Sequence, residues 1–488
     1  MHQTDTPQNT PENGTAKVPA GKLNFGEKVA FGIGEVANRY GENGINDVAT
    51  PIYNTILKLP PDTIGWILGL MRIWDAVTDP IMGYISDNWK GQRGRRKPFI
   101  LLGAILMAIA YPLVWMASPD WTQNAKTIYL FCFAIIFFTT YTIYSVPFRA
   151  LATEMTPDYG ERTTIRVYSA FFTQTILLFI PWIYPLTQME RIQIGSLVNF
   201  ELPWADPVTG IRFLMGIASV TILISGIVCS IFPKERYNKI AAKQEKVPFL
   251  PSFLSLVTDK PFLMLHGIGI GLLSSILLVG ALGLYVNMYY IWQGDTATGS
   301  TYQAFVQNIL QVLGYIMLFV ISIFLAKMEK RTLLSLALML ALVGSLARWF
   351  TYNQAIPQLV FLDPFFFAPA YTTFWAIFLS MLSDYCDYDE YKNGKRREGV
   401  FSAISGWMIK AGASIALIAA GVVLQKTGFN AELEGAQSEA TLHNMRLALV
   451  SLPVACLLIA LLLSTAYPLT KKRMEAIRTE LEARRGTV

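Results

Sequence analysis

Long apolar stretches separated by short polar segments dominate the chain. Twelve of these stretches are close to the roughly 20 residues that an α-helix needs to cross a bilayer. The predicted spans cover residues 27–57, 63–86, 97–117, 126–152, 165–187, 211–232, 261–291, 302–326, 332–352, 356–383, 399–425 and 445–468. The first is long and interrupted by Gly and Asn, so we expect it to be bent or partly outside the membrane. The pattern predicts an all-α membrane protein.

The composition supports this class and excludes several others. Hydrophobic residues make up 53% of the 488 residues and charged residues only 15%, whereas soluble domains carry about 25% charged residues. The net charge of +6 comes from Lys and Arg clusters between apolar runs, as in cytoplasmic loops, and does not indicate a nucleic-acid surface. The four Cys and three His show no metal or disulfide spacing, so we expect no cofactor. The sequence shows no nucleophile–base pair and no phosphate loop, so it does not indicate an enzyme.

The placement of Lys and Arg predicts the topology. Basic residues cluster in alternate loops, such as 90–97 and 392–397, while the loops between those are poor in them. Both termini are therefore predicted to be cytoplasmic, and the longest internal polar stretch falls at the middle of the chain. The predicted units are a disordered cytosolic tail 1–24, a six-helix bundle 25–232, a cytoplasmic linker 233–260, a second six-helix bundle 261–468 and a cytosolic tail 469–488. Two similar halves are typical of secondary transporters.

The second span carries three charged residues on one face. Asp75 and Asp79 are four residues apart and Arg72 lies three before Asp75, which places all three on the same side of a helix. A charged side chain at the centre of a membrane helix costs roughly 2.5–3.5 kcal/mol, so the carboxylates need partners. The partners could be Arg72, another helix, a proton or a bound cation. Lys410, a lone cation in an apolar span, is a candidate that would couple the two halves, although such a pair could also be purely structural.

Several motifs in the expected order indicate a family. Arg72-Ile73-Trp74-Asp75 continues to Asp79-Pro80-Ile81-Met82-Gly83, and Arg95-Arg96-Lys97-Pro98 follows. Asp384-x-x-Asp387-Tyr388-x-Glu390 lies far downstream. Together these motifs resemble the glycoside–pentoside–hexuronide:cation symporters, the melibiose permease-like family of the major facilitator superfamily. The resemblance implies a multi-pass inner-membrane protein that moves a sugar together with sodium or a proton by alternating access.

The resemblance also implies a cation site. In that family the carboxylates of helix 2 and a hydroxyl of helix 4 ligate the coupling ion, so Asp75, Asp79 and Thr142 inherit this role. Thr78 stands where the family has an Asn, which keeps an oxygen but leaves sodium and proton both open. Oxygen ligands suit a hard cation such as sodium, whereas two unliganded carboxylates would favour a proton.

The substrate positions depart from the family pattern. Its sugar-binding carboxylates fall on Arg39 and Ser145, and an aromatic residue of its sugar site falls on Arg149. Since Arg prefers carboxylate, sulfonate or phosphate, we expect an anionic sugar such as a uronide or sulfosugar. Further candidates for substrate contact are Tyr141, Gln174, Gln307 and Trp375. Alternatively, Arg39 is neutralised by Glu35 and Glu42, and Arg149 by Glu154 or Asp158.

Charged residues at the predicted cytoplasmic ends of the spans are candidates for a gate between the halves. They are Asp87, Arg95, Arg96, Asp384, Asp387, Glu390 and Arg396. The alternative is a set of solvated loop charges. The expected partners are a small-molecule sugar, the coupling cation and the lipid bilayer, with the chain as a monomer. A lipid or lysolipid transporter on the same fold is the alternative function.

Overall fold

The computed structural model describes residues 22–91, 94–156, 158–194, 198–236, 255–256, 258–394 and 398–485, and these are almost entirely helical. The helices are α1 (Phe25–Asn43), α2 (Pro61–Asn88), α3 (Lys97–Leu113), α4 (Gln123–Met155), α5 (Tyr159–Phe179), α6 (Pro207–Ile231), α7 (Lys260–Tyr285), α8 (Thr296–Lys327), α9 (Lys330–Thr351), α10 (Asp363–Asn393), α11 (Glu398–Lys426), α12 (Glu439–Thr465) and α13 (Lys471–Arg485). Short helical turns extend α1, α5, α7 and α10. The helices α1–α12 correspond one for one to the predicted spans.

Not all twelve helices are equally apolar. Within the described ranges, nine are long and apolar enough to cross a membrane, and α3 is a shorter apolar helix. The other two, α1 and α2, carry the charged residues that the sequence singles out. These two helices therefore hold the polar chemistry, while the others supply most of the apolar surface.

The structure adds two elements that the span pattern does not predict. An antiparallel hairpin, β1 (Arg191–Ile194) and β2 (Val198–Glu201), lies in the loop after α5. The second is α13, in the predicted C-terminal tail. It buries Met474, Ile477 and Leu481 as part of the core of the C-terminal half. Most of the predicted N-terminal tail and of the central linker lies outside the described residues.

Polar residues define where the helices begin. At α1, the Asn24 side chain accepts from the Glu27 N–H at 2.7 Å, while the Glu27 carboxylate accepts from the Asn24 N–H at 3.3 Å. This is a capping box, which satisfies two N–H groups that the first helical turn leaves free. At α6, Asp206 Oδ1 accepts from the N–H groups of Val208 and Thr209 at 2.9 and 3.0 Å. A hydrogen bond of 2.6 Å from the Thr209 hydroxyl and these N–H groups lower the pKa of Asp206, which lies outside the membrane span.

We call the ends of the helices that lie away from the chain termini the outer ends. At their outer ends, α1 and α7 continue into the same unusual backbone conformation. Each continues into a π-helical turn, Ile52–Ile56 after α1 and Val286–Ile291 after α7. Each turn is followed by a non-glycine residue in the left-handed region, Lys58 at φ 56° and Gln293 at φ 49°. The same closing hydrogen bond follows, 2.8 Å from the Leu59 N–H to the Tyr53 carbonyl and 2.8 Å from the Gly294 N–H to the Met288 carbonyl. The two halves are thus repeated in backbone detail.

The halves meet most closely along α2 and α11. A Cβ added at Gly65 would lie 2.9 Å from the Leu417 carbonyl, and one at Gly69 would lie 2.4 Å from the Ile418 side chain. The Ser414 hydroxyl donates to the Gly69 carbonyl at 2.8 Å. All of these positions are in the outer parts of the two helices. We name this glycine-lined contact between α2 and α11 the outer seam.

Candidate functional site

The carboxylates of α2 lie beside α4 and α11, at the boundary between the halves. Asp75 is completely buried, and its Oδ2 lies 3.4 Å from Arg72 Nη1. Its other oxygen, Oδ1, is buried and has no hydrogen-bond partner among the described residues. Asp79 Oδ1 accepts from the Thr142 hydroxyl at 3.3 Å, and Asp79 Oδ2 lies 2.5 Å from Lys410 Nζ. The structure therefore brings both carboxylates, one hydroxyl and two cations into one cluster.

Thr78 completes the oxygen set of this cluster. Its Oγ1 lies 3.1 Å from Thr142 Oγ1, with either hydroxyl as the donor. The Thr78 hydroxyl also lies 3.0 Å from the Trp74 carbonyl, its helical acceptor four residues earlier. The four predicted cation-site residues therefore lie together, Asp75, Thr78 and Asp79 on α2 and Thr142 on α4.

Each of the two carboxylates in the cluster faces one positively charged side chain. Arg72 on the same helix faces Asp75, and Lys410 from the C-terminal half faces Asp79. The sequence allows either Asp75 or Asp79 as the partner of Lys410, and the structure pairs it with Asp79. Because Lys410 is the only one of these groups on the C-terminal half, its ion pair crosses between the halves.

The two arginines at the predicted substrate positions have different surroundings. Arg39 Nη1 lies 2.6 Å from the Glu42 carboxylate and its Nε lies 3.8 Å from Glu35, so its charge is matched within α1. Arg149 is exposed, and its Nη2 donates to the Tyr141 hydroxyl at 2.9 Å. No ion pair to a carboxylate of the described chain involves Arg149. It is therefore the arginine whose charge is open to a ligand.

The predicted alternative partner of Arg149 is committed elsewhere. Glu154 Oε1 accepts from Arg96 Nε at 2.9 Å and also pairs with Arg95. Its other oxygen is buried without a partner in the part of the chain that the structure describes. Pairing of Arg149 with Glu154, one of the two possibilities from sequence spacing, is therefore wrong.

Other substrate candidates fall in different places. Trp375 is 40% exposed and meets Tyr371 edge to face at 6.5 Å. Contact of Trp375 with the substrate stays a prediction. Ser145, in contrast, is only 1% exposed, so this conformation does not present it to a ligand.

The two glutamines among the substrate candidates have different surroundings. Gln174 is half-buried on α5, and its amide lies near Gly314 of α8 in the other half. Gln307 lines a cavity of about 30 Å³ inside the C-terminal half, next to a buried Arg348–Asp363 ion pair. This cavity lies within the C-terminal half, and contact of Gln307 with the substrate stays a prediction.

The candidate gate residues form two ion-pair clusters. In the N-terminal half Asp87 pairs with Arg96, and Arg95 and Arg96 share Glu154. In the C-terminal half the partners are Lys330 and Arg478. Asp384 lies 2.7 Å from each of them, and Asp387 lies 3.1 Å from Arg478.

Each of these described ion pairs stays within one half. Glu390 lies on α10 beyond Asp387, and Arg396 lies outside the described residues. A gate that joins the two clusters stays a prediction.

Residues 30–471 match the family model of the MFS/sugar transport proteins. The chain belongs to this family, the glycoside–pentoside–hexuronide symporters. The match covers both halves and both carboxylates of α2, so the resemblance stated from the sequence motifs is confirmed. The chain is accordingly a transporter of the major facilitator superfamily and not an enzyme.

Relatives with named functions are symporters and sugar carriers. An uncharacterized symporter of Synechocystis is 24% identical, over 95% of this chain and 98% of its own length. A putative sulfoquinovose importer of Escherichia coli is 24% identical, over 95% of each chain. A glucuronide carrier protein homolog of Escherichia coli is 23% identical, over 95% of this chain and 97% of its own. The chain is thus a multi-pass symporter of the inner membrane, with a small-molecule substrate and a coupling cation.

Solved structures establish the fold. A bacterial homolog of the human lysosomal transporter Spinster, in an inward-facing and unoccupied conformation, superposes with a TM-score of 0.66 at 14% identity. That match covers 93% of this chain and 97% of the other. A D-xylose–proton symporter superposes with a TM-score of 0.58 at 15% identity, over 89% and 97% of the two chains. Both likenesses support the predicted twelve-helix architecture.

Two residues of the ion-pair clusters were missed in the sequence. Glu235 lies in the predicted linker, yet its carboxylate accepts from the N–H groups of Arg95, Arg96 and Lys97 at 2.6, 2.9 and 2.8 Å. It caps the start of α3, where the first N–H groups lack helical partners. Arg478 lies in the predicted C-terminal tail, on α13. Sequence spacing gave no signal for either, because both contacts span many residues.

Proposed function

We propose that this symporter couples transport of an anionic sugar to a cation, sodium or a proton, held at Asp75 and Asp79. The observation that carries the cation site is the buried Asp75 Oδ1 without a described donor. A buried acceptor without a donor costs roughly 1–3 kcal/mol, and a cation or a proton would offset that cost. The hydroxyl oxygens of Thr78 and Thr142 lie close enough to supply further ligands.

Lys410 competes with the coupling cation for Asp79. Its Nζ lies 2.5 Å from Asp79 Oδ2, where an added cation would bind. A cation at this carboxylate therefore has to displace Lys410 or occupy the free side of Asp75. Displacement would break an ion pair between the halves, which is how binding at α2 could bias their arrangement.

The anionic end of the substrate is assigned to Arg149. This arginine is exposed and donates to the Tyr141 hydroxyl, while the charge of Arg39 is already matched by Glu42. A guanidinium binds sulfonate or carboxylate oxygens in a planar, bidentate geometry. The names of two relatives, a sulfoquinovose importer and a glucuronide carrier homolog, both refer to acidic sugars and support the same chemistry.

Uptake by reconstituted vesicles tests both parts. Sulfoquinovose and methyl glucuronide are compared with neutral methyl galactoside, under an imposed sodium gradient and separately under a proton gradient. We expect uptake of the acidic sugars under one of the two gradients, and weak competition by the neutral sugar. Equal competition by the neutral sugar would refute the anionic assignment, and gradient-independent uptake would refute coupling.

Variants of Arg149 make the assignment specific. Arg149→Gln should lose uptake of the acidic sugars, and Arg149→Lys should recover only part of it, because an ammonium cannot form the planar fork. The matched control is Arg166→Gln, at an exposed arginine of α5. Competition by lysolipids in the same vesicles tests the lipid alternative, which predicts that they inhibit more strongly than sugars.

A further inference from the structure

The first helix is interrupted close to the proposed binding sites. It ends at Asn43, and residues 44–48 form a turn before helical structure resumes at Ala49. Within this turn the Gly44 N–H donates to the Tyr40 carbonyl at 3.0 Å and the Asp47 N–H donates to the Asn43 carbonyl at 3.0 Å. The last carbonyls of a helix need donors from outside the helix.

The carbonyl of Glu42 obtains its donors from side chains. Arg72 Nη2 donates to it at 2.8 Å, and the Asn46 amide donates to it as well. A cation is favoured at this position, because the C-terminal end of a helix carries partial negative charge. Arg72 of α2 thus caps the interrupted end of α1.

The same guanidinium also faces the proposed cation site. Arg72 Nη1 lies 3.4 Å from Asp75 Oδ2, which is longer than the 2.8 Å bond to the Glu42 carbonyl. The Glu42 side chain pairs with Arg39, one of the predicted substrate positions, at 2.6 Å. One side chain, Arg72, therefore connects the cation site to the segment of α1 that carries Arg39 and Glu42.

We propose that Arg72 is the positioning residue that transmits cation binding at Asp75 to the interrupted end of α1. This inference rests on the proposed cation site. A cation at Asp75 weakens the attraction of that carboxylate for Arg72 and repels the guanidinium directly. Arg72 then binds the Glu42 carbonyl alone, which orders the segment that carries Arg39 and Glu42. By linkage, a substrate that orders the same segment raises the affinity for the cation by the same factor.

Two independent readouts of the full-length protein test this role. The first is the thermal midpoint, which rises when a cation binds the folded state. The second is the maleimide labelling rate of Asn43→Cys, next to Glu42, in a background with the four native cysteines replaced by alanine. Sodium and acid pH are the two probes. The control variant Gln123→Cys, exposed at the start of α4, measures the direct effect of pH on the labelling reaction.

In the parent protein we expect one of the two cations to raise the midpoint and to change labelling at position 43 by about fivefold or more, the lower end of typical couplings. Arg72→Gln should lose the labelling response even at cation concentrations that raise its midpoint. Arg72→Lys, which keeps the charge without the fork, should restore part of that response, and it replaces Arg72→Gln if that variant does not fold.

The outcomes separate the two proposals. If Arg72→Gln or Arg72→Lys keeps the full labelling response together with the rise in midpoint, Arg72 does not transmit binding and the inference is wrong. If the parent protein shows no change in midpoint with either cation, the cation site itself is refuted and the role of Arg72 falls with it.

Discussion

Substituting Gly421 by alanine should open the outer seam. A Cβ at this position would lie 2.3 Å from the Pro61 carbonyl oxygen and 3.0 Å from the Gly65 Cα. Both neighbours are backbone atoms of α2, so no flexible side chain can move aside. The methyl group fits only if α2 and α11 separate by about one ångström at this level, since ordinary contact begins near 3.4 Å.

The cost of that methyl group sets the expected shift. Overpacking by one methyl group typically costs about 1–3 kcal/mol. Alternating access requires the outer ends of the halves to part in one conformation and to touch in another. If the strain exists only in the touching conformation, the equilibrium between the two shifts by roughly five- to 150-fold toward the outward-open form.

Distances between spin labels on the two halves measure this equilibrium. Labels at Gln123→Cys and Ala355→Cys, both exposed near the outer ends, should show a larger population of long distances in Gly421→Ala. The matched control is Gly216→Ala on α6, where an added Cβ meets nothing within 4 Å. An identical distance distribution in Gly421→Ala, Gly216→Ala and the parent protein would show that the seam does not separate, and would refute the reasoning.

Three further substitutions have expected outcomes. Lys410→Met should abolish accumulation of the substrate against a gradient while leaving the protein in the membrane. The measurement is uptake per amount of protein in vesicles, and normal uptake would remove Lys410 from the mechanism. Arg348→Met leaves the buried Asp363 carboxylate, now 2.7 Å from Arg348, unpaired, and should destabilise the fold by about 3–5 kcal/mol by thermal unfolding; the double variant Arg348→Met with Asp363→Leu should recover most of that loss. Tyr285→Phe removes a 2.8 Å hydrogen bond from α7 to Asn54, in the π-helical turn after α1, and should raise the maleimide labelling rate of Asn43→Cys several-fold, because a buried acceptor loses its donor. A labelling rate unchanged from the parent protein would show that this bond does not hold the outer end closed.

The helices could be predicted from the sequence because membrane helices are encoded locally. A run of about 20 apolar residues is sufficient, and every backbone group must be satisfied within the segment. The spacing of Asp75 and Asp79 likewise placed both on one face, since helical periodicity needs no tertiary information. The interruption of α1 was expected only as a bend, because the Gly and Asn residues that indicate it do not specify where the donors come from.

The choice of ion-pair partners could not be predicted in the same way. Several carboxylates lie at suitable sequence spacing from Arg149, yet Glu154 binds Arg95 and Arg96, which belong to the loop after α2. Asp384 finds Arg478, a residue of the tail. Which of several equal charges becomes a partner depends on how the helices pack, and spacing along one helix does not contain that information.

The position of Lys410 has a consequence for how the halves are held together. Its ion pair with Asp79 joins α11 to α2, and the outer seam joins the same two helices further out. The seam depends on shape and is insensitive to bound ions, whereas the ion pair competes with any cation at Asp79. On the proposed mechanism, the cation therefore removes one of two attachments between α2 and α11 and leaves the other in place. The two variants should then differ in their response to the cation. In the seam variant Gly421→Ala the cation still changes the spin-label distances, whereas in the ion-pair variant Lys410→Met it has no ion pair left to displace and the distances should not respond to it.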